Sequence, residues 1–268
     1  MNRFAALFDD IALLWGKYGS SYLNGVGSTL LLAVIATLVG CVIGFLCGIL
    51  QTIPCSHSDP LVKRGLLGLL RGIIRAYIEI FRGTPMILQA VFIYYGLPYF
   101  TNNAVQFRNI WAVSILVVSI NTGAYMAESV RGGILSVDRG QTEGAYSVGM
   151  THAQAMVHVI LPQALRNILP SVSNEFVINI KDTSVLNVIG VMELYYMAGV
   201  IYRRNYQIFQ TYLIICVLYF LLTFTVTRLL RLLERKLDGA KNYTICGSQS
   251  DPAAEIHIHE QEDESWKR

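Results

Sequence analysis

Glu175, Asn179, Asp182 and Glu193 are the residues of this chain best placed to do chemistry. They are carboxylates and an amide inside an otherwise apolar stretch. At 100° per residue, these four and Leu186 fall within about 60° of one another if the helix is continuous. Glu175 and Glu193 are 18 positions apart, which spans about 27 Å at about 1.5 Å per residue. A polar stripe of that height must face protein or water, because each lipid-facing charge costs roughly 3 kcal/mol or more at mid-membrane. Such a stripe suits an ammonium group or a cationic side chain. The same carboxylates could instead pair with Arg82 or Lys181 and never meet a ligand. Lys181 lies off the stripe, beside Thr183 and Ser184, and Gly190 could interrupt the helix before Glu193.

Two further polar groups interrupt apolar runs. Glu79-Ile80-Phe81-Arg82-Gly83-Thr84-Pro85 must bend or break a helix, because Pro85 lacks an N–H and its ring clashes with the preceding turn. Glu79 and Arg82 are three apart and can pair. Asn121, Tyr125 and Glu128 share one helical face. Catalytic signatures are missing. There is no Gly-x4-Gly-Lys-Ser/Thr phosphate loop, nucleophile elbow, HExxH helix or CxxC pair. Cys41, Cys47, Cys55, Cys216 and Cys246 have neither metal-ligand nor redox spacing and read as small core residues.

The elements that carry these residues are membrane spans. The chain has 268 residues, 53% hydrophobic and 15% charged, with mean hydropathy +0.46, and its apolar residues come in long runs. The class is an all-α polytopic membrane protein. A net charge of +3 does not point to nucleic acid. Five spans are expected, at about 21–50, 66–99, 109–127, from near Pro170, and 206–227. The second is too long for one uninterrupted crossing. Residues 1–20 read as a short amphipathic surface helix, 21–236 as the membrane domain, and 237–268 as a disordered polar tail. His257 and His259 in that tail read as unliganded, and no metal site is expected. Gly40, Gly44 and Gly48 lie on one face and would allow close approach of another helix, although glycine is also simply common in membrane helices. Orientation follows from Lys and Arg. Lys63, Arg64, Arg71, Arg75, Arg131, Arg139, Arg166, Arg228, Arg231, Arg235, Lys236 and Lys241 outnumber Arg3, Lys17, Arg108, Arg203 and Arg204. The bias puts the N-terminus outside and the C-terminus inside.

The stretch 143–162, EGAYSVGMTHAQAMVHVILP, reads as two short helices bent at Gly149. Thr151 caps the second helix and Pro162 closes it. Two short helices bent at a glycine make a compact knob on the cytoplasmic side.

This stretch resembles the EAA loop of ABC-importer permeases. Glu143-Gly144-Ala145, Gly149, Val159 and Leu161-Pro162 keep the family spacing, with Gly144 in place of Ala and Val159 in place of Ile. Arg82-Gly83-Thr84-Pro85 and Lys181-Asp182-Thr183-Ser184 resemble motifs of polar-amino-acid permeases, and the parts occur in the family's order from about Gly25 to Lys236. The resemblance implies a non-catalytic, multi-pass subunit in a bacterial cell membrane. It implies an amino-acid substrate, two ATP-binding subunits that hold ATP and Mg, a second permease and an extracytoplasmic substrate-binding protein. Glu143, Ala145, Gly149, Leu161 and Pro162 would then couple to the ATPase. Glu175, Asn179, Asp182, Thr183, Ser184, Glu193 and Asn121 would line the path. A secondary, ion-coupled amino-acid transporter is the alternative, but no convincing inverted repeat accompanies the broken helix.

Overall fold

A computed structural model describes residues 3–55 and 59–237. Every regular element among them is helical. The expectations for the tail beyond residue 237, including His257, His259 and Cys246, lie outside the described residues.

Helix α1 (Arg3–Thr52) is one element of 50 residues. The expected boundary at residue 20 is not a break. No proline interrupts this stretch, and its N-terminal turns have protein to pack on. Leu14 and Tyr22 are buried with Leu194, Ala198 and Ile201 of a later helix and with Ile214 and Ile215 of the last. The apolar periodicity that read as a surface helix therefore serves a tertiary contact over part of its length.

Helix α2 (Leu61–Gly83) meets α3 (Met86–Val91) at an elbow. A π-helical turn, Phe92–Gly96, and α4 (Leu97–Phe100) complete this arm, which is bent from α2 by 110°. The long second span is thus a broken one, as Pro85 requires. Thr84 and Pro85 are both extended, since proline drives the residue before it out of the helical region.

Helix α5 (Ile110–Leu135) is capped by Asn109, whose side chain accepts from the Trp111 N–H at 2.9 Å. It runs eight residues beyond the expected end at 127. Its partner is α1, and the glycines explain how closely the two approach. A Cβ on Gly40, Gly44 or Gly48 would lie 2.6, 2.3 or 2.6 Å from Thr122, Met126 or Val130. The four-residue period on α1 meets a four-residue period on α5. This is the small-residue seam that membrane helices use when no hydrophobic effect draws them together.

Next come α6 (Arg139–Ser147) and α7 (His152–Ala155). A second π-helical turn, Met156–Ile160, leads without a break into α8 (Leu161–Asp182). Pro162 therefore does not close a helix. It sits in the first turn of α8, where a missing N–H costs little. Both π turns directly precede Leu-Pro, at Leu97-Pro98 and Leu161-Pro162. In each, the leucine N–H reaches back five residues, to Phe92 or Met156. The wider turn relieves the clash between a proline ring and the carbonyl four residues before it.

Helix α8 starts earlier than expected and carries Pro170 in its interior. It ends at Asp182. A 3-10 turn, Thr183–Ile189, and Gly190 in the left-handed region at φ +90° follow. Then α9 (Leu194–Asn205) departs at 54°, and α10 (Ile208–Leu237) ends the described chain. The continuous stripe from Glu175 to Glu193 is thereby corrected. Glu175, Asn179 and Asp182 share one helix, whereas Leu186 lies in the 3-10 turn and Glu193 starts the next helix.

Three helices, α1, α5 and α10, are each long and apolar enough to cross a membrane, and the two bent pairs raise the number to as many as five.

Candidate functional site

The elbow between α2 and α3 is held by one amide. The Gln89 side-chain nitrogen donates to the carbonyls of Phe81 and Thr84 at 2.8 and 2.9 Å and to the Thr84 hydroxyl at 2.9 Å. Two carbonyls can only accept, so this orientation of the amide is forced. The Gln89 oxygen then accepts from Asn121 Nδ2 at 3.0 Å, and Asn121 also donates to the Phe81 carbonyl at 3.3 Å. Backbone acceptors freed by the helix break thus find partners on α3 and α5. Gln89 was missed as a site residue. Its signal was present, since it is the one polar side chain in the apolar run 86–93 before the tyrosines.

Arg82 forms an ion pair with Glu128 on α5 rather than with Glu79 on its own helix. Its guanidinium also lies 5.2 Å from the ring centre of Tyr125. Both partners of the pair are partly exposed, so its worth in stability is at most about 1 kcal/mol.

The elbow, α5 and α8 enclose an open cavity of about 1010 Å³. Arg82, Gly83, Thr84 and Pro85 form one wall, and Asn121, Tyr125 and Glu128 form the second. The third is α8, with Asn167, Ser171, Asn174, Glu175, Ile178 and Asp182. The cavity is at the upper end of the roughly 300–1,000 Å³ of small-molecule sites. It holds Glu128, Glu175 and Asp182 against one arginine, together with amides and several hydroxyls. The arrangement favours a small polar ligand with at least one cationic group.

Other predicted path residues do not line this cavity. Asn179 is 2% exposed and is shared between helices, donating to Thr37 Oγ1 at 2.8 Å and to Thr122 Oγ1 at 2.9 Å. Thr183 is buried, and its hydroxyl donates to the Ile180 carbonyl at 3.0 Å. Ser184 lines a smaller cavity of about 340 Å³ with Lys181, Tyr195, Tyr212 and Tyr219. Glu193 is 0% exposed. Its carboxylate accepts from the N–H groups of Tyr195 and Tyr196 at 2.8 and 2.7 Å and from the Tyr219 hydroxyl at 2.9 Å. It is the cap of α9, and every contact it makes is structural. Arithmetic along a helix could not foresee this, because the helix stops eleven residues earlier.

The 143–162 stretch forms a compact knob. Asp138 caps α6 by accepting from the Gly140 N–H at 2.7 Å. Gly149 turns the chain at φ +83°, and Met150 N–H returns to the Ala145 carbonyl at 3.1 Å. Thr151 and Gln154 form a capping box on α7. Ala145 and Ala155, one on each short helix, are buried. Glu143 and Pro162 are exposed, and Leu161 is half-buried. Gln163 on α8 donates to Gln141 on α6 at 3.2 Å and ties the knob to the long helix that carries Glu175 and Asp182. Val148, at the tip, is 73% exposed, and Tyr146 and Val157 are exposed beside it. The tip is thus an exposed apolar surface.

Comparison with known proteins places this architecture. Residues 61–239 match the family of binding-protein-dependent transport system inner membrane components. The chain belongs to that family, whose members are non-catalytic transport components. Among curated relatives, the glutamine transport system permease protein GlnP of Escherichia coli (strain K12) is 33% identical over 215 residues, 80% of this chain and 92% of that protein. The octopine transport system permease protein OccM of Rhizobium radiobacter is 33% identical over 254 residues, 92% of this chain and 98% of that one. A crystal structure of an amino acid ABC transporter with histidines aligns with TM-score 0.73 at 36% identity, over 84% of this chain and 97% of its own. The inward-facing MetNI methionine ABC transporter shares the fold, with TM-score 0.60 at 19% identity over 81% of this chain. Nothing in these likenesses supports an ion-coupled transporter.

Proposed function

We propose that this chain is the transmembrane permease subunit of an ATP-driven amino-acid importer. The single observation that carries the reading is the acidic cavity built by Arg82, Asn121, Glu128, Glu175 and Asp182 in a chain of this family. The substrate's ammonium meets Glu175 and Asp182, and Asn121 and Ser171 offer hydrogen bonds to the rest of the molecule. Relatives named for glutamine, octopine, cystine and arginine transport support an amino acid as the cargo.

The N-terminus lies outside and the C-terminus inside, so five spans place the knob in the cytoplasm. There it docks in a separate ATPase, present in two copies, which binds ATP and Mg. A substrate-binding protein delivers the amino acid on the outer side of the bacterial cell membrane, and a second permease subunit closes the path. Motion of the ATPase reaches the cavity through Gln163, α8 and the carboxylates on it.

The test is ATP-dependent uptake in proteoliposomes that hold the chain, its ATPase and its binding protein. Glu175→Gln and Asp182→Asn should each lower uptake at least tenfold without lowering the yield of the complex. Uptake driven by an ion gradient without ATP, or wild-type uptake by the double variant, would overturn the reading.

A further inference from the structure

A second cavity, of about 540 Å³, lies on the other side of the Arg82–Glu128 pair. Gln51 at the end of α1, Arg71, Arg75 and Glu79 on α2, and Arg131 on α5 line it, and the pair itself is shared with the first cavity. Its charge is the reverse of the first. Arg82 and Glu128 neutralise each other, which leaves Arg71, Arg75 and Arg131 against Glu79 alone. Arg75 and Arg131 make no ion pair among the described residues.

Donors in this cavity also lack acceptors. Arg71 uses one terminal nitrogen on the Ile53 carbonyl, which fixes its guanidinium near the end of α1. Its Nε is buried with no partner among the described residues, and so is Gln51 Nε2. A buried donor without an acceptor costs about 1–3 kcal/mol. The guanidiniums of Arg75 and Arg131, which carry no ion pair among the described residues, are the donors that a ligand rich in acceptor oxygens would meet.

The helical register explains how the site arises. Arg64, Arg71, Arg75 and Arg82 are spaced by seven, four and seven, so they fall within about 40° on α2. The exposed apolar residues Val62, Leu66, Leu69, Ile73 and Ile80 occupy the opposite face. The apolar face suits lipid, Ile74 and Tyr77 pack toward α5, and Arg75 and Arg82 lie exposed on the side between them, bordering the cavity. On α5, Asn121, Tyr125, Glu128 and Arg131 step from the first cavity to the second and on toward the knob.

We infer that the second cavity is an oxyanion site that receives the carboxylate of the transported amino acid after it leaves the first cavity, with the Arg82–Glu128 pair as the partition between the two. The inference rests on the amino-acid reading above. Glu175 and Asp182 hold the ammonium end, and Arg75 and Arg131 take the carboxylate end once the partition opens. Arg82 stands between them and exchanges Glu128 for the passing carboxylate. Bidentate guanidinium–carboxylate geometry makes arginine, rather than lysine, the suited residue.

The experiment uses the full complex with its ATPase and binding protein in phosphatidylcholine proteoliposomes, with L-glutamine and L-arginine as probes. Arg75→Gln with Arg131→Gln should lower the kcat of ATP-driven uptake at least tenfold and leave KM within twofold, because loading of the first cavity is untouched. Arg75→Lys should keep less than half of the wild-type rate. Should the double variant fail to assemble, Arg75→Gln alone carries the test with a threefold loss. Wild-type kcat in these variants, with amino-acid uptake intact, would overturn the inference and leave the function standing. No uptake of any amino acid by the wild-type complex would instead overturn the function. A loss seen only when phosphatidylglycerol is added, or protection of Arg75 and Arg131 from phenylglyoxal by inorganic phosphate but not by amino acid, would assign the site to a phosphate group and overturn the carboxylate route.

Discussion

Glu193 and Gly149 are single residues whose side chain, or lack of one, decides a local structure. Glu193 supplies acceptors to two backbone N–H groups and to Tyr219. Glu193→Ala should cost roughly 2–4 kcal/mol, the sum of a lost cap and an orphaned buried hydroxyl. Glu193→Gln keeps one acceptor and should cost less. Thermal unfolding of the purified complex measures both. Altered substrate selectivity at unchanged Tm would show that Glu193 meets substrate instead. Gly149 differs, because a Cβ there meets nothing within 4 Å but the backbone sits at φ +83°. Strain and not crowding penalises a side chain, by about 1–2 kcal/mol and more when it is β-branched. Gly149→Val should leave α1–α5 packing and membrane insertion intact while uncoupling ATP hydrolysis from uptake. Normal uptake with normal complex yield would refute the coupling role.

At the scale of elements, the α1–α5 seam is the part of the structure that tolerates least change. Gly44 faces Met126 with room for no further carbon, whereas Gly27 on the same helix has open space. Gly44→Val should lower stability by at least the roughly 1–3 kcal/mol typical of overpacking, since backbone and not a flexible tip must move. Gly27→Ala is the control and should be neutral within about 0.5 kcal/mol. Folded yield after extraction separates the two. Equal tolerance would mean that the helices part easily and that the seam does not set their register. This seam was legible as a period of four on one helix. Its partner on α5 was not, because Thr122, Met126 and Val130 are ordinary residues with no signal of their own.

For the whole molecule, the first cavity is open and three walls do not close it. The outer faces are apolar, with only 11% of the most apolar stretch of α10 buried. A carboxylate-lined cavity open to lipid would carry the cost of desolvating its charges. In the function proposed above, a second permease, a copy or a relative of this chain, would supply the fourth wall. Co-expression with the ATPase should yield a complex of two membrane and two ATPase subunits by native mass measurement, and the chain alone should aggregate on extraction. A stable, transport-competent monomer would show that one chain shields its own cavity.

Residue order along the chain determined what depends on nearest neighbours: the break at Pro85, the left-handed turn at Gly149, the Thr151 cap and the long apolar runs. Each follows from the covalent limits of one residue and the few beside it. Tertiary structure alone decided which polar groups meet. Gln89 and Asn121 are 32 positions apart, and Asn179 finds Thr37 across 142. Arg82 takes Glu128 on another helix over Glu79 on its own. The stripe that ran to Glu193 on paper stops at Asp182, where a 3-10 turn and left-handed Gly190 redirect the chain. A period of 3.6 predicts a shared face only while the helix lasts.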